Sequence, residues 1–207
     1  MMETNHNARL EAFCDGVFAI ALTLLVIDIK IPATEHIEST AAFWLALQHI
    51  MPAIFAFILS FTIILITWAN HHNALKLVNR SSASFIYSNG FLLLTVAFFP
   101  FPTALLGEYI LTDHSEPAVV IYEITMAFQA IGWILMSNAA LRSRLGKNEK
   151  SILRIRKNGQ FGYFALALYS GCAILAFWFP FTIAIVTTII WIFWLIWGIS
   201  IRQEAMD

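Results

Sequence analysis

Two short stretches of this sequence concentrate the side chains able to hold a proton, a cation or a directed hydrogen bond. The first carries Arg9, Glu11, Cys14, Asp15, Thr23 and Asp28; the second carries Trp68, Asn70, His71, His72 and Asn73. Both are embedded in apolar sequence, where an ionisable group is costly unless it is paired or reaches water, so Asp15 requires a partner or an aqueous cavity. Three chemistries are open. Arg9 and Asp15, meeting His71 and Trp68, would form a hydrogen-bonded lock between two helices. Asp15 with His71 would form a proton relay. Cys14 beside His71 or His72 would form a nucleophile and base. A metal site at the two histidines is disfavoured, because adjacent helical residues point about 100° apart, and no HxxxH or Glu-bearing zinc motif accompanies them. In a simpler alternative, Asp15 lies at the membrane interface and only caps or hydrates a helix end.

The elements that position these residues follow from hydropathy. Of 207 residues, 59% are hydrophobic and 12% charged, a composition that leaves a water-soluble globule too much apolar surface. A helix crossing the hydrocarbon takes about 20 apolar residues. Six stretches of that kind lie near 12–31, 43–68, 84–106, 118–141, 160–179 and 182–201. They predict an all-α polytopic membrane protein with a single transmembrane domain over 1–207. Phe179-Pro180-Phe181-Thr182 makes the last two a tight hairpin. Pro52, Pro100 and Pro102 predict bends in the second and third spans, since proline lacks the donor that continues a helix. The first apolar run follows acidic and polar residues with no small-residue cleavage site, so it is expected to remain as a span and not to act as a signal peptide.

Charge then orients the bundle. Lys76 and Arg80 lie between spans two and three, and Arg142, Arg144, Lys147, Lys150, Arg154, Arg156 and Lys157 between spans four and five; Arg9 and Arg202 flank the termini. Only Lys30 falls on the other side, with Glu35, Glu38, Glu108, Asp113 and Glu116. The positive-inside rule therefore places both termini in the cytoplasm. Trp191, Trp194 and Trp197 read as an interfacial belt facing lipid. Cys14 and Cys172 have neither disulfide nor metal-site spacing.

Helical geometry separates two faces of the first span. Ile20, Thr23, Leu24 and Ile27 fall within a stripe about 100° wide, while Asp15 lies about 140° from Ile20. If Asp15 packs against neighbouring helices, the stripe is free to face a symmetry axis; read as periodicity alone, it fits ordinary helix packing better, since branched aliphatics at helical spacing usually belong to a core.

The stretch Arg9-Leu10-Glu11-Ala12-Phe13-Cys14-Asp15-Gly16 resembles the RxxxFSD motif that opens helix one in the lysosomal and bacterial transmembrane potassium channel family. Arg9, Phe13 and Asp15 match, and Cys14 stands where the family has serine. The resemblance continues through the first span and the Trp68-Ala69-Asn70-His71-His72 segment. It implies a homotetramer of six-helix subunits in the plasma membrane, with helix one lining the pore. It also implies a constriction at Ile20, continued by Leu24 and Ile27, and a selecting hydroxyl layer at Thr23. Arg9, Phe13, Cys14, Asp15, Trp68 and His71 would serve a structural hydrogen-bond network, weakened at Cys14 because a thiol bonds more poorly than a hydroxyl.

The resulting expectation is a potassium-permeable cation channel of moderate selectivity, not an enzyme, with lipid, monovalent cations and copies of itself as partners. Neither nucleic acid nor any cofactor beyond the permeant potassium ions is expected. The sequence holds no TVGYG stretch, so a carbonyl filter is absent. Asp28 would sit at the outer mouth and concentrate cations. The competing reading is a proton-coupled secondary transporter using Asp15 and His71.

Overall fold

The structure, a computed structural model, describes residues 7–33 and 37–204, with side chains described as far as Ile192. Among the described residues eight helices follow one another: α1 (Ala8–Leu24), α2 (Thr40–His49), α3 (Met51–Lys76), α4 (Ala83–Phe98), α5 (Pro100–Tyr109), α6 (Ser115–Arg142), α7 (Glu149–Leu175) and α8 (Pro180–Glu204). No strand occurs among the described residues; an isolated antiparallel bridge joins Val78 and Gly146. Among the described residues three segments are long and apolar enough to cross a membrane: Met51–Lys76, the nearly continuous Ala83–Tyr109, and Ser115–Arg142. This is an all-helical membrane protein.

Several boundaries depart from the hydropathy reading. The first span was expected to run to residue 31, but α1 ends at Leu24, which leaves Ile27 and Asp28 beyond it. Residues 25–29 are closed by short turns, Ile27 N–H to Leu24 O at 3.1 Å and Ile29 N–H to Val26 O at 3.2 Å. The β-branched Val26, Ile27 and Ile29 lose side-chain freedom in a helix, and Pro32 turns the residue before it away from helical angles. The second stretch is two helices, because Pro52 stands in the first turn of α3 and cannot donate back into α2. Pro100 likewise opens α5 after Phe99.

The helix of the fifth expected span, α7, begins at Glu149, well before residue 160. Asn148 caps it by accepting from Ser151 N–H at 2.8 Å, and Ser151, Ile155, Gly159 and Gly162 form its buried edge. Gly162 allows close approach to α6, since a Cβ there would lie 2.8 Å from Ile134 Cγ1. Before that turn, α6 closes with Leu145 N–H to Ala140 O at 2.9 Å and Arg144 N–H to Leu141 O at 3.1 Å. Arg144 takes the left-handed conformation (φ 53°) that this pair of bonds requires.

Helix α6 is the hub, packing on α4, α5, α7 and α8, whereas α1 packs mainly on α3 and α4. At one end, Asn79 N–H donates to Leu145 O and Lys147 N–H to Leu77 O, both at 3.0 Å. Asn7 Nδ2 joins the same knot by donating to Val78 O at 3.4 Å. At the other end, Lys30 Nζ lies 3.6 Å from Glu108 Oε2. The lipid-facing placement expected for Trp191 is corrected: with Ile183 and Thr187 it forms the packed edge of α8 and is 8% exposed. The side chains of Trp194, Trp197 and Arg202, and residue Glu35, lie outside the described residues.

Candidate functional site

Cys14, Phe18, Ala21 and Leu25 recur at intervals of four, three and four, the spacing of one helical face, and all are buried against α3 and α4. The opposite face of α1 has no cover in the single chain. Ile20 there is 60% exposed and Ile27, in the turn beyond, 71%; Thr23 and Leu24 are exposed as well. The two-faced helix is therefore apolar on both sides, with only one side packed.

Thr23 is shaped by its own backbone. Its Oγ1 lies 3.1 Å from Ala19 O and 2.9 Å from Ile20 O. The hydroxyl hydrogen is thus directed back along the helix, and the oxygen lone pairs are left facing outward.

Two hydrogen-bonded anchors hold the packed side. Trp68 Nε1 donates to Asp15 Oδ1 at 2.8 Å, joining α1 to α3. His72 stacks on the Trp68 indole with centroids 6.0 Å apart. One residue earlier, Cys14 Sγ accepts from Asn89 Nδ2 at 3.1 Å, joining α1 to α4. The Asn89 carbonyl oxygen then lies 2.6 Å from His71 Nε2, so the imidazole donates and α3 is bound into the same chain. His71 is buried, with its ring 5.3 Å from Phe18 and 6.4 Å from Trp133.

The structure brings Cys14, Asp15, Trp68 and His71 to one junction and leaves two proposed members out. Arg9 is exposed and forms no ion pair with Asp15. Six residues on a helix turn through about 240°, so the two side chains point to different sides. Phe13 is also exposed and lies on the uncovered face. Asp15 and His71 each bond to a different partner, so a direct proton relay between them is absent. Asn89 stands between Cys14 and His71, and the thiol is fully buried, so no nucleophile–base pair forms. Asp28 is exposed near the Lys30–Glu108 pair.

Asn89 is the member that the sequence reading missed; its signal was a single amide ahead of the apolar run Gly90-Phe91-Leu92-Leu93-Leu94. A second polar cluster also went unread. Thr103 Oγ1 reaches Ser60 Oγ at 2.7 Å, Ser60 bonds Tyr122 Oη at 3.0 Å, and Thr187 Oγ1 donates to Glu123 Oε1 at 2.6 Å. These bonds tie α3, α5, α6 and α8 together in the apolar interior. No group of three or more potential metal-ligating side chains occurs among the described residues.

Comparison with known proteins places this architecture. The profile described as endosomal/lysosomal potassium channel TMEM175 matches residues 9–100. A potassium channel of Chamaesiphon minutus is 43% identical over 144 residues, 69% of this chain and 70% of that protein. A potassium channel of a Chryseobacterium species is 34% identical over 145 residues, covering 70% of this chain and 69% of its own. A crystal structure of a lysosomal potassium-selective channel TMEM175 homologue from Chamaesiphon minutus superposes with a TM-score of 0.79 at 34% identity. It covers 93% of this chain and 99% of that one. With that identity and coverage, the chain belongs to the TMEM175 potassium-channel family.

Proposed function

We propose that this chain is one subunit of a homotetrameric, potassium-permeable cation channel of moderate selectivity, with α1 from each copy around the central axis. The observation that carries the proposal is the asymmetry of α1: one face is anchored through Cys14 and Asp15, while the apolar stripe at Ile20 and Leu24 is left uncovered. A subunit with one candidate lining helix is too little to enclose a pore, and copies meeting around that stripe would bury it. The similarity to channels named for potassium supports the permeant ion.

Ile20 forms the constriction in this reading, and Leu24 and then Ile27 continue the wall outward. A ring of such side chains excludes a hydrated ion by dewetting when narrow and passes a partly hydrated one when widened. The outward lone pairs of Thr23 replace part of the lost water, which favours potassium over the more strongly hydrated sodium. Asp28 adds negative charge at the outer mouth. Six crossings with both termini in the cytoplasm, in the plasma membrane, agree with the gathering of Asn7 and the two basic connections at one end.

The test is ion flux through purified protein in liposomes under potassium and then sodium gradients. Wild type should pass potassium faster than sodium, Ile20→Asn should raise the flux, and Thr23→Ala should erode the preference. Absence of flux in every variant would overturn the channel reading.

A further inference from the structure

Helix α7 carries an outer face that is basic in its first turns and aromatic in the next. Lys150, Arg154 and Lys157 recur at intervals of four and three, and the same line continues through Phe161 and Phe164. At about 100° per residue these five positions fall within about 80° of one another. They lie on the far side from Ser151, Ile155, Gly159 and Gly162, which are buried. Lys150, Arg154 and Lys157 are exposed, and so are Phe161 and Phe164. One continuous stripe therefore changes from cationic to aromatic between Lys157 and Phe161. Lys157 Nζ sits at that change, 5.8 Å above the Phe161 ring. A groove of about 370 Å³ opens beside it, lined by Lys157, Gln160, Phe161 and Phe164.

The charge there is in excess. From Arg142 to Lys157 the chain places seven Lys and Arg side chains against one acid, Glu149. Among the described residues none of the seven forms an ion pair; the one salt bridge found joins Lys30 to Glu108, at the other end of the bundle. A cationic surface with no counter-ion among the described residues, continuous with an apolar surface along one helix, has the complementary form of an anionic amphiphile. Its negative end meets the basic turns and its hydrocarbon lies along the aromatic ones.

We propose that the outer face of α7 is a binding site for an anionic phospholipid, with the phosphate headgroup on Lys150, Arg154 and Lys157 and an acyl chain along Phe161 and Phe164. This rests on α7 crossing the bilayer, as in the six-crossing arrangement above. Basic residues that serve only to orient the chain in the membrane need no common helical face, whereas these three share one and lead into the aromatic pair.

The experiment is native mass spectrometry of the purified full chain, titrated in detergent with phosphatidylglycerol or with zwitterionic phosphatidylcholine. Wild type should retain phosphatidylglycerol preferentially, and each neutralised charge should weaken that retention by about fivefold. The triple variant Lys150→Gln/Arg154→Gln/Lys157→Gln should hold both lipids equally. The single variant Lys157→Gln, which disturbs folding less, should show a partial loss. Arg142→Gln should leave the preference intact. Equal retention of both lipids by wild type, or an undiminished preference in the folded triple variant, would overturn the site. So would a triple variant that changes oligomeric state while keeping the preference, because the face would then belong to a second copy. Potassium flux in liposomes of phosphatidylcholine alone keeps the two proposals separable: flux without lipid preference removes this site only, and preference without flux removes the channel only.

Discussion

The Asn89 amide donates to Cys14 Sγ at 3.1 Å, so the thiol at the head of the packed face of α1 is held from α4 by the residue that also receives His71. The bond predicts opposite outcomes for two small substitutions. Cys14→Ser supplies a better acceptor in the same place and should raise stability by about 0.5–1 kcal/mol. Cys14→Val leaves the buried amide without an acceptor and should cost about 1–3 kcal/mol. Thermal unfolding in detergent measures both, and a valine variant as stable as wild type would remove the anchor. Full potassium flux in Cys14→Ser would also dispose of Cys14 as a nucleophile.

The second anchor is separable from the first. Trp68→Phe keeps the ring and loses the donor to Asp15. In a double-mutant cycle with Asp15→Ala it should reveal a coupling of about 1 kcal/mol, typical of interhelical hydrogen bonds in membranes. Arg9→Gln should be additive with Asp15→Ala, because the two side chains do not meet. Coupling of Arg9 to Asp15 would show that the assembled protein rearranges this junction.

Helix α7 depends on a missing side chain. At Gly162 an added methyl would meet Ile134 Cγ1 at 2.8 Å, whereas at Gly171 nothing lies within 4 Å. Gly162→Ala should therefore destabilise by about 1–3 kcal/mol through overpacking. Gly171→Ala should be neutral or stabilising by up to about 1 kcal/mol, since alanine is the better helix former. Melting temperatures of the two variants, measured together, give the comparison.

Glu123 is 1% exposed and takes its one recorded hydrogen bond from Thr187. Thr187→Val removes that donor and should cost about 1–3 kcal/mol. Glu123→Gln keeps an acceptor oxygen for the hydroxyl at nearly the same volume and should cost less, or even stabilise, as replacement of buried charge-bearing groups often does. If Glu123→Gln unfolds the protein while Thr187→Val is silent, the carboxyl has another role than fastening α6 to α8.

The broad architecture was legible because hydropathy and charge act over whole segments. The apolar stretches became helices, the breaks at Pro52 and Pro100 appeared where a donor is missing, and the basic connections met at one end. What escaped depended on single contacts. Val26, Ile27 and Ile29 are apolar enough to extend a span by composition, yet they lie past the end of α1. The basic residues before 160 look like a loop until α6 supplies the surface on which Ser151 and Ile155 alternate with them. Asn89 and Glu123 carried no repeating pattern, so only the fold shows what they face. Arg9 and Asp15 are complementary in charge, but their separation of six residues already contained the reason they do not meet. Cys14, Asp15, Trp68 and His71 stand out in the sequence because each sits beside other polar residues in an otherwise apolar stretch, and all four form interhelical hydrogen bonds.

The ending of α1 at Leu24 has a mechanical consequence. Cys14 and Asp15 hold α1 by hydrogen bonds near its midpoint, and the chain leaves the helix at Leu24 for short turns, so the two bonds define a pivot for a tilt of the outer half. At about 1.5 Å rise per residue, Ile20 lies about 7.5 Å from Asp15 along the axis and Leu24 about 13.5 Å. A tilt of about 10° about that pivot would carry Ile20 about 1.3 Å sideways and Leu24 about 2.3 Å on this geometry. The leverage grows with distance from the pivot: the outer rim travels farther than the throat, and rotation of the helix about its own axis turns both rows of side chains together.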